Sequence, residues 1–138
     1  MAAASSAPGS TDLERRIDTL SDRLTDGLKP LAAVAYNYRW SWSQDGADVF
    51  SAISEYRWER SGHNPVRFLN NLWPTAQERA EQDAALVGRI RELADLVAAD
   101  VGRPDRPRPS IGGPVAFFSS EFGVHESLPL YSLSLIHI

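Results

Sequence analysis

Residues 115–132 read VAFFSSEFGVHESLPLYS, and this stretch predicts the class of fold to which the chain belongs. It begins with the apolar run Val115-Ala-Phe-Phe118, the pattern of a buried strand in a parallel sheet. Polar residues follow from Ser119 onwards, after the carboxyl end of that strand. In open α/β sheets ligands bind at this edge. We therefore expect a loop beside a ligand-binding crevice to carry Glu121, His125 and Glu126.

The region before this strand, residues 12–102, has the apolar spacing of a series of short helices. Ser10 or Thr11 can cap a first helix, whose buried stripe is predicted to be Leu13, Ile17, Leu20 and Leu24. Gly27 is expected to stop that helix in the left-handed conformation, with Pro30 in the first turn of the next one. That next helix is predicted to run from Leu31 to Trp42 and to be buried on two sides.

Four further features mark helices later in the chain. Asp45 can cap a short helix that contains Val49, Phe50 and Ile53, and Asn64-Pro65 marks another helix start. Thr75 and Glu78 form a weak capping box. The clearest long helix begins near Gln82, and its buried stripe is predicted to be Leu86, Ile90, Leu93, Val97 and Val101.

The segments between and around these regions suggest a modular order. Residues 103–114 are a proline-rich linker, because proline lacks the backbone donor that helices and strands need. Residues 1–11 are small and polar, typical of a disordered leader. A lone buried strand cannot satisfy its backbone groups. The fold class expected is thus an α-helical N-terminal extension followed by the first strand of a truncated α/β Rossmann-like domain, at residues 115–132.

Composition excludes several function classes. The net charge is −4, whereas a nucleic-acid-binding domain needs a concentrated basic face. Cysteine is absent, so the chain has no disulfide and no thiolate site, which suits a cytoplasmic location. No apolar run reaches membrane-spanning length, and the N-terminus lacks the pattern of a secretory signal. Partners of nucleic-acid or membrane type are therefore not expected.

Three sequence strings resemble one enzyme family. They are AYNYRWSW at Ala35–Trp42, GHNPVRFL at Gly62–Leu69 and EFGVHESLPLYS at Glu121–Ser132. Together they resemble the bacterial α-glucan (glycogen or maltodextrin) phosphorylases of the short type, which have a helical N-terminal extension before a two-domain Rossmann-like glycosyltransferase fold. In that family a Gly-Gly-Leu-Gly loop follows the third string. Here residues 133–138 read LSLIHI, which resembles a translated sequencing adapter, and we interpret them as an artefact rather than as a C-terminal strand.

The resemblance implies phosphorolysis of α-1,4-glucan to glucose 1-phosphate, with pyridoxal phosphate bound to a lysine as cofactor. The only lysine is Lys29, at a helix junction without phosphate-binding glycines, so it is expected to be a surface residue. This chain is therefore expected to contain no catalytic residue, no cofactor site and no metal site, and to be inactive alone. His63 is interpreted as a turn or helix-start residue. The resemblance places Glu121, His125 and Glu126 beside the glucan cleft, although they could equally stabilise the turn.

Alternatives to the phosphorylase assignment stay open. A glycogen or starch synthase also begins its first domain with a strand, a glutamate and a glycine-rich loop. A non-enzymatic helical interaction module would need only residues 12–101. The four tryptophans, Trp40, Trp42, Trp58 and Trp73, are predicted to fill a core rather than to stack on sugar. Glucan preference and oligomeric state are left open.

Overall fold

The computed structural model describes residues 10–43 and 46–104, and within those ranges all regular secondary structure is helical. This confirms the helical character predicted for the N-terminal extension. The helices are α1 (Ser10–Ser21), α2 (Leu31–Ala35), a 3₁₀ helix (Tyr38–Trp42), α3 (Gly46–Arg60), α4 (Pro65–Asn70), α5 (Pro74–Gln82) and α6 (Ala84–Val101). The predicted strand, nearly all of the linker, most of the leader and residues 133–138 lie outside the described residues.

Helix α2 lies at the centre of the fold, in contact with α1, α4, α6 and the 3₁₀ helix. Its residues Leu31 and Val34 are fully buried, as is Leu28 in the turn before it. Ile90 of α6 is equally buried, so the longest helix closes the core from one side. Fully burying one such side chain contributes about 1.5–3 kcal/mol, which makes this apolar centre the main source of stability.

Aromatic rings form one end of the core. Phe50 stacks on Trp58 at 4.9 Å between ring centroids, and Trp40 meets Phe50 edge-on at 5.5 Å. Phe68 meets Trp58 edge-on at 5.7 Å. Such pairs contribute about 0.5–1.5 kcal/mol each beyond their burial. This cluster joins the 3₁₀ helix, α3 and α4 through side chains from three separate stretches of sequence.

The loop after α1 differs from the prediction. Helix α1 ends at Ser21 rather than at Gly27, and Gly27 does not have a positive φ. Its role is close approach: an added Cβ would lie 3.2 Å from the Glu81 side chain and from Val87. The Gly27 backbone N–H donates to Glu81 Oε1 at 2.8 Å. Gly27 thus lies where the loop closely approaches α5 and α6. Glu81, which it contacts, is 54 residues further along the chain, so local sequence does not indicate this contact.

The helix predicted from Leu31 to Trp42 is wrong as a continuous element. Helix α2 stops at Ala35, and Asn37 takes an extended conformation (φ −130°, ψ 133°). The Asn37 side chain accepts a 2.8 Å hydrogen bond from the Arg39 backbone N–H and so begins the 3₁₀ helix. Asparagine favours such caps over helix interiors, which explains the break.

Helix α3 is longer than predicted and is kinked. It spans Gly46–Arg60, with non-helical backbone angles at Ser54 (φ −164°, ψ 98°). The proposed cap, Asp45, lies outside the described residues. Gly46 itself is required, because an added Cβ would lie 1.9 Å from the Trp40 carbonyl oxygen.

The predicted N-termini of the later helices agree with the structure to different degrees. Asn64 caps α4 as predicted: its side chain accepts a 2.9 Å hydrogen bond from the Arg67 N–H, and Pro65 follows. The Thr75 capping box is wrong, because α5 begins at Pro74 with Trp73 in the cap position. Helix α6 begins at Ala84, capped by Asp83, two residues after Gln82, near which its start was predicted.

The predicted apolar stripes of α1 and α6 each have one terminal residue that is exposed. Leu13 is 47% exposed and Val101 is 71% exposed, whereas Leu20, Leu24, Ile90 and the central residues of the α6 stripe are buried. A helix longer than the surface it packs against leaves its terminal apolar residues in solvent. Periodicity alone does not show where the partner surface ends.

Candidate functional site

The predicted cleft residues Glu121, His125 and Glu126 lie outside the described residues. The other two residues singled out from sequence are on the surface. Lys29 is half-exposed and pairs with Asp26, with 2.6 Å between Nζ and Oδ1. That hydrogen bond, followed by the charge of Asp26, raises the pKa of Lys29.

His63 lies in the turn between α3 and α4, as predicted. Gly62 and His63 both have positive φ, 61° and 52°, and Gly62 adopts this conformation without strain. The His63 ring lies against Trp58 at 5.3 Å between centroids, and Nε2 is 3.1 Å from Glu59 Oε1. Its role is to cover the aromatic core and close the turn.

The described residues form a groove of about 510 Å³ between the end of α3, α4 and the start of α5. We call it the arginine groove. Its walls carry three guanidinium groups and two large exposed aromatic rings, Tyr56 and Trp73, which are 68% and 64% exposed. The lining residues are Tyr56, Arg57, Arg60, Ser61, Arg67, Phe68, Asn71 and Trp73. None of these is acidic.

Arg57, one of the residues that line the groove, is held in place by two neighbouring groups. Its Nη1 donates to the Asn71 carbonyl oxygen at 2.7 Å, and its guanidinium carbon lies 3.8 Å from the centre of a Trp73 ring. A stacked guanidinium at this distance gains a cation–π attraction. One face of Trp73 is thus occupied by Arg57, while much of the side chain stays in solvent.

Arg60 and Arg67 complete the positive wall. Arg60 lies on α3 one turn after Arg57, with its guanidinium 5.7 Å from the Tyr56 ring. Arg67 lies on α4, and both side chains are exposed. Within residues 10–43 and 46–104, neither guanidinium has a carboxylate partner. Three cations that face one groove without an acid are typical of an anion-binding surface.

The prediction that all four tryptophans fill the core is half wrong. Trp40 and Trp58 are buried at 1% and 5% exposure, but Trp42 and Trp73 are 69% and 64% exposed. Trp42 follows Trp40 by two positions on a tight helix, so the two rings cannot face the same core. Trp73 precedes Pro74 in an extended conformation that carries its ring outward.

A second charged surface lies where α6 ends. Asp100 pairs with Arg39 of the 3₁₀ helix, with 2.6 Å between Oδ2 and Nε, and with Arg103, with 2.5 Å between Oδ1 and Nη2. Trp42 lines the same shallow depression of about 470 Å³. Asp100 therefore links the end of α6 to the 3₁₀ helix, next to an exposed aromatic ring.

Two other kinds of feature are absent from the part of the chain that the structure describes. Across the described ranges, no three histidine or acidic side chains lie close enough together to hold a metal ion. No helix among the same residues is both long and apolar enough to cross a membrane.

The arginine groove was not identified from sequence, although one signal was present. Arg57, Arg60 and Arg67 fall within twelve residues, 56–67, that also contain Tyr56 and Trp58, a density of arginine and aromatic residues typical of binding surfaces. Local sequence does not indicate that the turn at Gly62 and His63 brings α4 back against the end of α3.

Named relatives match most of the chain. A glycogen phosphorylase of Mycobacterium tuberculosis is 33% identical over 123 residues, which cover 83% of this chain and 14% of the relative. A maltodextrin phosphorylase of Thermococcus litoralis is 29% identical over 129 residues, or 87% of this chain and 15% of the relative. A glycogen phosphorylase of Aquifex aeolicus is 23% identical over 111 residues, or 80% and 15%.

The chain therefore spans about one seventh of the length of the curated relatives it matches. No solved structure gives a significant match. The family model that matches residues 24–128 has the description "Protein of unknown function (DUF3417)". That match includes almost all of the helical core and continues into the stretch from which the fold was predicted. The chain belongs to this family, the N-terminal region found in glycogen and maltodextrin phosphorylases.

Proposed function

We propose that the chain is the N-terminal part of an α-glucan phosphorylase, an enzyme that uses inorganic phosphate to release glucose 1-phosphate from an α-1,4-glucan. The observation that carries this proposal is the similarity to relatives from three organisms whose names all specify glycogen or maltodextrin phosphorylase. The three sequence strings, two of which have structural roles in the helical unit, support it.

The first two strings contain residues that build the fold. In Ala35–Trp42, Asn37 caps the 3₁₀ helix, Trp40 enters the core and Arg39 binds Asp100. In Gly62–Leu69, Gly62 makes the left-handed turn, Asn64 caps α4, and Phe68 and Leu69 are buried. We infer that the helical unit is a support for the catalytic part of the enzyme, and that its described residues perform no step of the reaction.

Pyridoxal phosphate, the cofactor that the proposal implies, does not fit the described residues. A lysine that forms a Schiff base needs a neutral amine, commonly obtained by desolvation. Lys29 instead has a raised pKa and a carboxylate partner in solvent. We propose that the cofactor and the substrate phosphate are bound by parts of the enzyme outside this chain, and that the complete protein is cytoplasmic.

The cleft assignment belongs to the same proposal. Glu121, His125 and Glu126 are proposed to lie beside the glucan cleft, in the first Rossmann-like domain that begins near Val115. The linker at 103–114 would connect this domain to the helical unit. The salt bridges of Asp100 support this arrangement, because they fix the end of α6 from which such a linker would lead.

The reaction that the complete enzyme catalyses, phosphorolysis of a glucan or glucosyl transfer from a nucleotide sugar, distinguishes this proposal from the synthase alternative. The complete gene is recovered from independently prepared genomic DNA read past the codon for Ser132, and its product is purified with pyridoxal phosphate. We expect glucose 1-phosphate to form from maltoheptaose only when phosphate is present. Chain elongation from a nucleotide sugar, with no phosphorolysis, would instead identify a synthase. Absence of both reactions would favour the non-enzymatic helical module.

A further inference from the structure

We propose that the arginine groove is a binding site for a phosphorylated sugar, separate from the glucan cleft. The proposal stands on three properties of the groove: positive charge that has no carboxylate partner within residues 10–43 and 46–104, an exposed aromatic face, and an arginine, Arg57, that is already held by neighbouring groups. The inference that the ligand is a phosphorylated sugar rests on the proposed function. The inference that the groove binds a phosphate group does not depend on it.

The charge of the groove favours a phosphate group. Arg57, Arg60 and Arg67 present their guanidinium groups to one space of about 510 Å³, and none of the described residues that line it is acidic. Guanidinium groups donate two parallel hydrogen bonds to phosphate or carboxylate oxygens, which makes arginine the usual residue for such ligands. Because the chain as a whole carries a net charge of −4, this local concentration of cations is not a general property of its surface.

One acid of α3 lies near these arginines in sequence but contacts a residue outside the groove. Glu59 lies between Arg57 and Arg60 in sequence, but its carboxylate is 3.1 Å from His63 Nε2. It is not among the residues that line the groove. An external anion is therefore the partner that Arg60 and Arg67 lack within the described part of the chain.

The aromatic rings favour a ligand that carries a ring. Arg57 covers one face of Trp73, yet 64% of that side chain is in solvent. A pyranose presents a flat apolar face that packs on an indole, while its hydroxyl groups remain available to hydrogen-bond donors and acceptors. Tyr56, which is 68% exposed on the same groove, offers a second ring with a hydroxyl group.

Arg57 needs little reorganisation to bind. The 2.7 Å hydrogen bond to the Asn71 carbonyl oxygen and the stacking on Trp73 fix its guanidinium before a ligand arrives. Fixing a long side chain in advance removes part of the entropic cost of binding. A groove that served only to cover the core would not require an exposed tryptophan and a positioned arginine.

The test is a titration of the 138-residue chain by NMR at constant ionic strength. The indole Nε1–H signal of Trp73, assigned with Trp73→Phe, is followed during addition of inorganic phosphate, glucose 1-phosphate or maltoheptaose. We expect saturable shifts with both phosphates, and about fivefold tighter binding of glucose 1-phosphate because its ring stacks on Trp73. The neutral glucan should give no saturable shift.

Variants separate a built site from general charge attraction. The double variant Arg60→Gln, Arg67→Gln should weaken phosphate binding at least tenfold; neither guanidinium holds the described fold together, and circular dichroism verifies folding. The double variant Arg89→Gln, Arg91→Gln, which removes the same two positive charges from α6, is the matched control and should leave the affinity unchanged.

Four results would overturn the proposal. They are the absence of a saturable phosphate shift, equal weakening by the α6 double variant Arg89→Gln, Arg91→Gln, equal affinity for phosphate and glucose 1-phosphate, and a saturable shift with maltoheptaose. Because binding is measured without turnover, failure here would leave the phosphorylase assignment untouched. Likewise, an inactive complete enzyme would leave a demonstrated phosphate site in place.

Discussion

The side-chain oxygen of Gln77 accepts a 2.9 Å hydrogen bond from the backbone N–H of Thr25, and this contact fastens the loop after α1 to α5. Gln77 is only 6% exposed. Its amide nitrogen also lies 3.3 Å from the Arg23 carbonyl oxygen and 3.4 Å from that of Leu72, as a donor to both. One buried polar side chain thus satisfies backbone groups of segments about fifty residues apart.

Gln77→Leu should lower the free energy of unfolding by about 2 kcal/mol, because it leaves a partly buried N–H and two carbonyl groups without this partner. Urea denaturation measures the change. Thr25→Val is the control: it keeps the backbone N–H and removes a buried hydroxyl that has no hydrogen-bond partner in the described structure. Its stability should be unchanged or slightly higher. An equal loss in both variants would show that the Gln77 contacts are not what stabilises the loop.

Gly46→Ala should destabilise the folded chain by about 3 kcal/mol or more. The new methyl group would clash with the Trp40 carbonyl oxygen, so the backbone at Trp40 or at residue 46 would have to move. The melting temperature measures this effect. Gly88→Ala in α6 is the matched control, since its Cβ would meet nothing within 4 Å. Alanine there should stabilise by about 0.5–1 kcal/mol. Similar effects of both variants would contradict the close approach of Gly46 to Trp40.

The cap of α6 gives a third prediction. The Asp83 carboxylate accepts hydrogen bonds from the N–H groups of Ala85 and Leu86, both at 3.0 Å. Asp83→Ala should cost about 1 kcal/mol, whereas Asp83→Asn, which retains an accepting oxygen, should cost only a few tenths. Hydrogen exchange at the first amides of α6 reports the same loss locally. Faster exchange in the asparagine variant than in the alanine variant would count against the cap.

A pH titration tests the Asp26–Lys29 pair. The hydrogen bond from Lys29, followed by its charge, lowers the pKa of Asp26. A lowered folded-state pKa means that the stabilisation is present above the unfolded pKa and is lost as pH falls through the folded one. Since both groups are in solvent, the effect on stability should be small. Carboxyl NMR should show a higher Asp26 pKa in Lys29→Gln and no change in Arg91→Gln; equal values in all three proteins would refute the pair.

Local patterns predicted the parts of the fold that local physics determines. The stripe from Leu86 to Val97 is buried, and Asn64 caps a helix, because helical periodicity and capping depend on residues within one or two turns. The same patterns overextended the helix after Leu31, because the aromatic residues on both sides of Asn37 keep a helical spacing although Asn37 caps a new helix.

The failures involve contacts between distant segments. The role of Gly27 depends on Glu81, and that of Gly46 depends on the path of the 3₁₀ helix beneath it. The arginine groove likewise depends on the turn that brings Arg67 and Trp73 to Arg57. No periodicity within one helix contains this information, so the tryptophans could not be divided correctly into Trp40 and Trp58 inside and Trp42 and Trp73 outside.

The initial rate of glucose 1-phosphate release is the most direct test of the account. It is measured with the complete gene product, maltoheptaose and increasing phosphate, beside the 138-residue chain at equal concentration with added pyridoxal phosphate. We predict a rate that saturates with phosphate for the complete protein and no release by the chain alone. No release by the complete, cofactor-loaded protein, or turnover by the 138-residue chain, would contradict the assignment of this region as the non-catalytic N-terminal part of an α-glucan phosphorylase.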